Sequence, residues 1–198
     1  MFACCCAAAV VATGPPDARF AAYKGAGMIF TDGSVVLCGW EPRKRRPGLY
    51  GIGGKAEDAV DRRDYRQTAV REVIEELYGA VPSARLVDTV AAALCSDTGG
   101  AALVDGDYLM IRCSFRDLQR LLGLVAAARP ALISPLYSAR LPRSLEELLF
   151  ARCSAAASEM AQLCLLPVTR QIPRISGDLG SDIIRLWASQ GGEKAPPK

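Results

Sequence analysis

Val70, Val73, Ile74 and Leu77 recur at i, i+3, i+4 and i+7, the spacing of a helix with one face in a core. Glu72, Glu75 and Glu76 fall on the other side of the same segment, within about a quarter turn of one another. Like charges spaced i,i+3 and i,i+4 cost roughly 0.2–0.5 kcal/mol per pair, so three clustered carboxylates work against the helix that carries them. Solvation of an acidic face is the ordinary account of such a cluster. A divalent cation would reverse the penalty, and hard oxygen ligands are what Mg²⁺ or Mn²⁺ takes.

The helix has readable ends. Asp64-Tyr65-Arg66-Gln67 predicts a capping box, with Asp64 as N-cap and Gln67 reaching back. Gly79 terminates it and Pro82 prevents continuation. Upstream lies a double glycine, Gly53-Gly54-Lys55-Ala56-Glu57. Other phosphate-binding loops fit this stretch poorly. A P-loop needs Ser or Thr after the lysine, where Ala56 stands, and the dinucleotide-like Gly51-x-Gly53-x-x-Ala56 is followed by a polar linker and not by a helix start.

The glycines and the helix together resemble the Nudix box: Gly, five residues, Glu, seven residues, then Arg-Glu-apolar-x-Glu-Glu-x-Gly. Gly54 matches the opening glycine, Lys55 the lysine that often follows, and Glu57 the glutamate three residues on. Arg71, Glu72, Val73, Glu75 and Glu76 match the helical half in unbroken register. The interval from Gly54 to Arg71 is three residues longer than the pattern, and the closing glycine, Gly79, arrives one residue late. The lengthened loop leaves its acid unassigned among Asp58, Asp61 and Asp64; since Asp64 is the helix cap, Asp61 is the choice.

The resemblance implies hydrolysis of a nucleoside diphosphate linked to another group, with water attacking a phosphorus of the pyrophosphate bridge. It implies an α/β (α+β) chain in the Nudix fold, a mixed β-sheet sandwiched between helices, and Mg²⁺ or Mn²⁺ as cofactor. By the same resemblance Glu72 and Glu76 hold the metal, and Glu75 is a third ligand or the group that deprotonates the water. The Gly54 carbonyl adds a ligand, Glu57 ligates or braces the loop, Arg71 orients the carboxylates, and Lys55 meets substrate. The alternatives are removal of the cap from messenger RNA, and a catalytically inactive Nudix-fold protein that binds nucleotide or RNA.

Composition bounds these readings. In 198 residues, 51% are hydrophobic and 23% charged, which excludes a disordered chain and gives enough length for a substantial core. There are no histidines, so acid–base work falls to Asp, Glu, Lys, Tyr or Cys. The eight cysteines form no C-x-x-C pair and mostly occupy apolar runs, as expected of buried thiols in a reducing, cytoplasmic setting. Net charge is only +3, but 19 of the 24 basic residues are arginine, a habit shared with the abundant alanine. Arg43-Lys44-Arg45-Arg46, bracketed by Pro42 and Pro47, is ordinarily a solvated loop. As a functional feature it would be a nuclear-import signal or a substrate-binding surface for polyphosphate or RNA. A small nucleotide is the preferred partner and a homodimer is compatible with the chain.

Along the sequence, residues 1–19 form an apolar segment too short to span a bilayer and without the basic start of a signal peptide. Cys4-Cys5-Cys6 could accept palmitate but lacks a second anchoring signal. A domain over 20–190 and a tail over 191–198 follow. Strands are expected at 26–31, 35–40, 49–54, 86–95, 108–115 and 159–168, with Asp32-Gly33 turning a hairpin and a loop over 96–106. Helical spacing marks 118–125, a capping box at Ser144-Leu145-Glu146-Glu147 opens another helix, and 182–189 closes the domain. The 116–152 stretch is therefore a helical insertion, a candidate lid or dimer contact, though ordinary surface packing is the simpler reading.

Overall fold

The computed structural model describes residues 23–62, 64–95, 102–128, 134, 136–137, 140–153, 160–169 and 177–189. The apolar N-terminal segment with Cys4–Cys6 and the 191–198 tail lie outside the described residues. In chain order the elements are β1 (Gly25–Phe30), β2 (Val35–Glu41), β3 (Gly48–Tyr50), β4 (Ile52–Lys55), α1 (Asp58–Asp61), α2 (Tyr65–Tyr78) and α3 (Ala84–Cys95). There follow β5 (Ala102–Asp105), β6 (Tyr108–Cys113), α4 (Phe115–Ala127), α5 (Leu145–Phe150), β7 (Gln162–Pro167) and α6 (Gly177–Ser189).

The strands form two sheets, β4-β1-β6-β5 and β3-β2-β7. Among the described residues, β1 and β6 run parallel and the other strand pairs are antiparallel. This mixed α+β architecture places α2 against β1 and β4 on one face, with α3 stacked on α2, and α6 on the other face. Strand alternation does the sorting. Ala26, Met28 and Phe30 meet Val70, Val73, Ile74 and Leu77 in the main core, and Ile29 turns to Leu179, Ile183 and Leu186 in a second one.

Two expectations change at the strands. Asp32 caps the turn, accepting from the N–H groups of Ser34 and Val35 at 2.8 and 3.0 Å, but β1 and β2 do not make a hairpin. They share one isolated bridge, Thr31 to Val36, and then enter different sheets. The run 49–54 likewise divides at Gly51, β3 joining β2 and β4 joining β1. Between β1 and β4 the chain thus crosses between sheets twice, and the second crossing delivers the glycine pair to an edge strand above α2.

Further differences from expectation follow along the chain. Residues 86–95 are helical, within α3, and not a strand: Leu86, Val87, Val90, Ala91 and Leu94 are all buried, a helical spacing. Part of the expected 96–106 loop, Ala102–Asp105, is strand β5. Asp58–Asp61 forms the short helix α1, ended by Arg62 in the left-handed conformation at φ 53°. Within the 116–152 stretch, α4 and α5 bury Leu118, Leu121, Leu122, Val125 and Leu148 in the main core, so both helices pack as structural elements. Ser144 caps α5 by accepting from Glu147 N–H at 3.1 Å, while the Glu147 carboxylate takes the N–H of Arg143 and not that of Ser144. A full reciprocal box occurs instead at Ser114 and Asp117, opening α4. No helix among the described residues is long and apolar enough to cross a membrane.

Candidate active site

Helix α2 forms where its apolar stripe can bury, and both ends are held. Asp64 is its N-cap, accepting from Arg66 N–H at 2.9 Å. Gln67 does not reach back; its amide donates to Asp88 of α3 at 2.9 Å, a partner no local pattern announces. Gly79 ends the helix at φ 64°, a left-handed conformation in which Cβ-bearing residues are strained, and donates to Glu75 O. Burying Val70, Val73, Ile74 and Leu77 fixes the rotation of the helix, and that rotation presents Glu72, Glu75 and Glu76 to one cleft.

Arg71 organises the acidic face. It is 3% exposed, and its Nε and Nη2 grip the Asp61 carboxylate at 2.8 and 3.0 Å. Nη1 donates to Glu72 Oε1 and Glu75 Oε2, each at 3.0 Å, and Nη2 also donates to Lys55 O at 2.8 Å. Asp61, 1% exposed, further accepts from Thr68 Oγ1 at 2.7 Å and Glu57 N–H at 2.8 Å. Burial alone would raise the Asp61 pKa, but the Arg71 bond, with those from Glu57 N–H and Thr68, overrides it and holds the acid below its ordinary value. Asp61 is thus the loop acid that pairs with Arg71, and it does so from the interior. Helix α1 and the Thr68 hydroxyl aim it there.

The remaining acids differ in exposure. Glu57 is 62% exposed with its carboxylate 3.8 Å from Arg71, a loose bracing contact. Glu72 and Glu75 are 14% and 27% exposed. Glu76 is buried and accepts from Gly53 N–H at 3.1 Å. Burial, reinforced by neighbouring Glu75 and offset by Arg71, pushes Glu72 up to about 7. Burial raises Glu75 against the pull of Arg71. Burial and the nearby Glu41 carboxylate raise Glu76 well above its usual range, although the Gly53 bond opposes them. In all three, burial disfavours the ionised carboxylate.

Gly54 is pressed against Glu72: a methyl group added at Gly54 would collide with that carboxylate. The glycine is needed there so that strand and helix can approach, with the carboxylate between them. Gly53, Gly54, Lys55, Glu57, Glu72, Glu75 and Glu76 line a cavity of about 560 Å³, together with Lys44, Gly79, Ala80 and Val81. A second cavity of about 430 Å³ shares Lys44, Gly53, Gly54 and Lys55 and continues over Tyr50, Tyr108, Met110 and Leu179, with Asp107 and Asp182 at its wall.

Of the basic loop, Arg43, Lys44, Arg45 and Arg46 are all exposed, but only Lys44 reaches either cavity. Its ammonium sits 4.2 Å from the Tyr50 ring centroid and 2.9 Å from Glu41 Oε1. Glu41, almost fully buried at the end of β2, was invisible to motif reading. Its signal was alternation, because it shares the inward strand face with Leu37.

The donor set is all oxygen and suits a hard divalent cation in kind. In position, the carboxylates diverge: Glu72 and Glu75 turn to Arg71 and Glu76 to Gly53 N–H. Among the described residues no three His, Cys, Asp or Glu side chains converge closely enough to hold a metal ion. Compared with known proteins, the sequence matches no family model and no curated protein.

Proposed function

We propose that this protein is a Nudix-type hydrolase that cleaves the pyrophosphate linkage of a nucleoside diphosphate derivative, aided by Mg²⁺ or Mn²⁺. The observation that carries the reading is the placement of Glu72, Glu75 and Glu76 in one cavity with the Gly53-Gly54 strand, around an Arg71 locked from beneath by Asp61. Glu72 and Glu76 are the metal ligands in this reading, with Glu75 third and Glu57 at the rim. The cation would neutralise pyrophosphate oxygens and polarise the attacking water.

The chain's own groups supply the rest. Arg71 keeps Glu72 and Glu75 within reach of the cavity by charge-assisted bonds. Glu75, the most exposed of the three helix acids and with a raised pKa, is in this reading the group that would take a proton from water. Lys44 and Lys55 line both cavities and meet the phosphates between them. The second cavity offers aromatic and apolar walls to the nucleoside, and its carboxylates can accept from ring amino groups.

The test is turnover on a panel of nucleoside triphosphates, dinucleoside polyphosphates, nucleotide sugars and capped RNA with Mg²⁺. Glu76→Gln keeps size while removing a charge, and we expect it to lower turnover at least about 100-fold with the fold retained. Unchanged turnover at saturating Mg²⁺ would remove Glu76 from the site.

One observation favours a second reading, a nucleotide-binding protein without turnover: Arg71 already engages two of the helix carboxylates. Saturable nucleotide binding with no hydrolysis across the panel would establish it. The RNA variant of the hydrolase reading rests on the exposed 43–46 loop beside Lys44. Replacing Arg43, Arg45 and Arg46 with Ser should leave small-nucleotide hydrolysis within about twofold. If capped RNA is the substrate, the same change should flatten the salt dependence of its binding, by roughly 0.7 in log–log slope per lost phosphate contact.

A further inference from the structure

Away from the cleft, β2 and β7 place Cys38 directly opposite Cys164. Their Sγ atoms lie 3.3 Å apart, although the residues are 126 positions apart in sequence. We propose that Cys38 and Cys164 are a two-thiol redox site, which a hydroperoxide oxidises to a reversible intramolecular disulfide joining β2 to β7. The proposal is independent of the hydrolase reading.

Geometry carries it. Residues directly opposite in an antiparallel pair have Cα atoms about 4.5–5.5 Å apart, inside the span that a disulfide bridges. The sulfurs need to close from 3.3 Å to about 2 Å, a movement that small side-chain rotations supply without shifting the strands. A shared soft metal is the competing use of two thiols, but structural zinc takes four ligands. Among the described residues no third His, Cys, Asp or Glu joins this pair as a metal-binding group.

The two thiols are unequal in the way sequential oxidation requires. Cys164 is half-buried and meets solvent, whereas Cys38 is fully buried beside Ile29, Val36, Met110, Leu179, Ile183 and Leu186. The hydrogen bond from Cys38 outweighs burial and lowers the Cys164 thiol to about 7, and the same bond together with burial pushes Cys38 up. Near neutral pH Cys164 is therefore the thiolate that attacks. Its sulfur bonds to one peroxide oxygen, the O–O bond breaks, and the departing oxygen leaves as water (or alcohol) after taking a proton. Cys164 is then a sulfenic acid. Cys38 gives up its proton, its sulfur bonds to Cys164 Sγ, and the S–O bond breaks with release of water. Two thiols lose two electrons in all, and the peroxide is reduced by the same two.

The bond would close a loop of more than a hundred residues, so it should raise the melting temperature, by about 10 °C. The test exposes the reduced full chain to hydrogen peroxide near neutral pH and follows its eight cysteines by non-reducing peptide mapping. We expect a Cys38–Cys164 linked peptide to appear before the exposed Cys153 is consumed, and to vanish on adding a thiol reductant. Cys38→Ala should abolish the link; Cys164, deprived of the bond that lowers its pKa, should oxidise more slowly than in the parent and stop at a sulfenic acid that a dimedone-type reagent captures. Cys164→Ser should leave Cys38 unreactive. If Cys38 and Cys164 remain alkylatable after Cys153 is spent, or if Cys164 links only to another cysteine, the proposal is overturned. The parent map decides this even if either variant fails to fold.

Discussion

Arg71 and Arg152 both press against helix α2, and the partners they find there are of different kinds. Arg71 meets carboxylates: Asp61 from below, Glu72 and Glu75 from its own helix. Arg152 meets backbone carbonyls, donating to Glu76 O, Leu77 O and Met160 O at 3.0, 2.8 and 2.8 Å. At the helix end, four carbonyls lack intrahelical partners, and a cation there satisfies them and complements the helix dipole. That contact positions α2. Arg71 instead spends its donors on acids that face a cavity, where another cation or a substrate can compete for the same oxygens. A charge drawn in from solvent marks both regions, fully at Arg71 and partly at Arg152. What distinguishes a candidate site from a structural brace is whether the partners can be exchanged.

The comparison is most exposed at Asp61. Asp61→Asn leaves Arg71 buried without its main counter-charge and should destabilise the protein by about 3 kcal/mol. Urea unfolding would register this as a lower midpoint at unchanged slope. It should also weaken any metal response, because Glu72 and Glu75 lose the arginine that positions them. A shift under about 1 kcal/mol would mean that Arg71 is held by its other partners and that Asp61 is secondary.

Arg152→Gln tests the other side. Losing hydrogen bonds from a charged donor to buried carbonyls should cost about 2 kcal/mol, measured in the same way. Metal-induced stabilisation should survive unchanged, since no carboxylate oxygen of the cleft is involved. An Arg152 variant that lost metal response more than stability would erase the distinction drawn here.

The smallest effect is on pH dependence in chelator. Burial raises Glu72 from its ordinary value near 4.5 to about 7, so over that interval the folded state holds more proton than the unfolded state. The stability tied to this group is fully present below about 4.5 and is lost as pH rises through about 7. Glu72→Gln should flatten that slope, and saturating Mg²⁺ should flatten it in the parent by compensating the ionised form. If metal leaves both the melting temperature and its pH slope untouched, Glu72 is only a partner of Arg71.

The rotation of α2, its Asp64 cap and its Gly79 stop were legible because they rest on neighbours within a turn: a 3.6-residue period buries four apolar side chains, and the acids follow. Helix α3 was misread because Val87, Thr89 and Val90 favour strands, while its length, its run of three alanines and its buried spacing favour a helix. The sequence by itself determined which segment bears the carboxylates and that a glycine pair precedes it. Tertiary structure decided the rest: that β1 and β2 part into separate sheets, that Asp61 and not Asp58 goes inward to Arg71, that Gln67 finds Asp88, and that Glu41 comes near Glu76. Those outcomes depend on which distant surface arrives to exclude water from a charge. No local period encodes that arrival, because the energy of a buried ion pair belongs to two places in the chain at once.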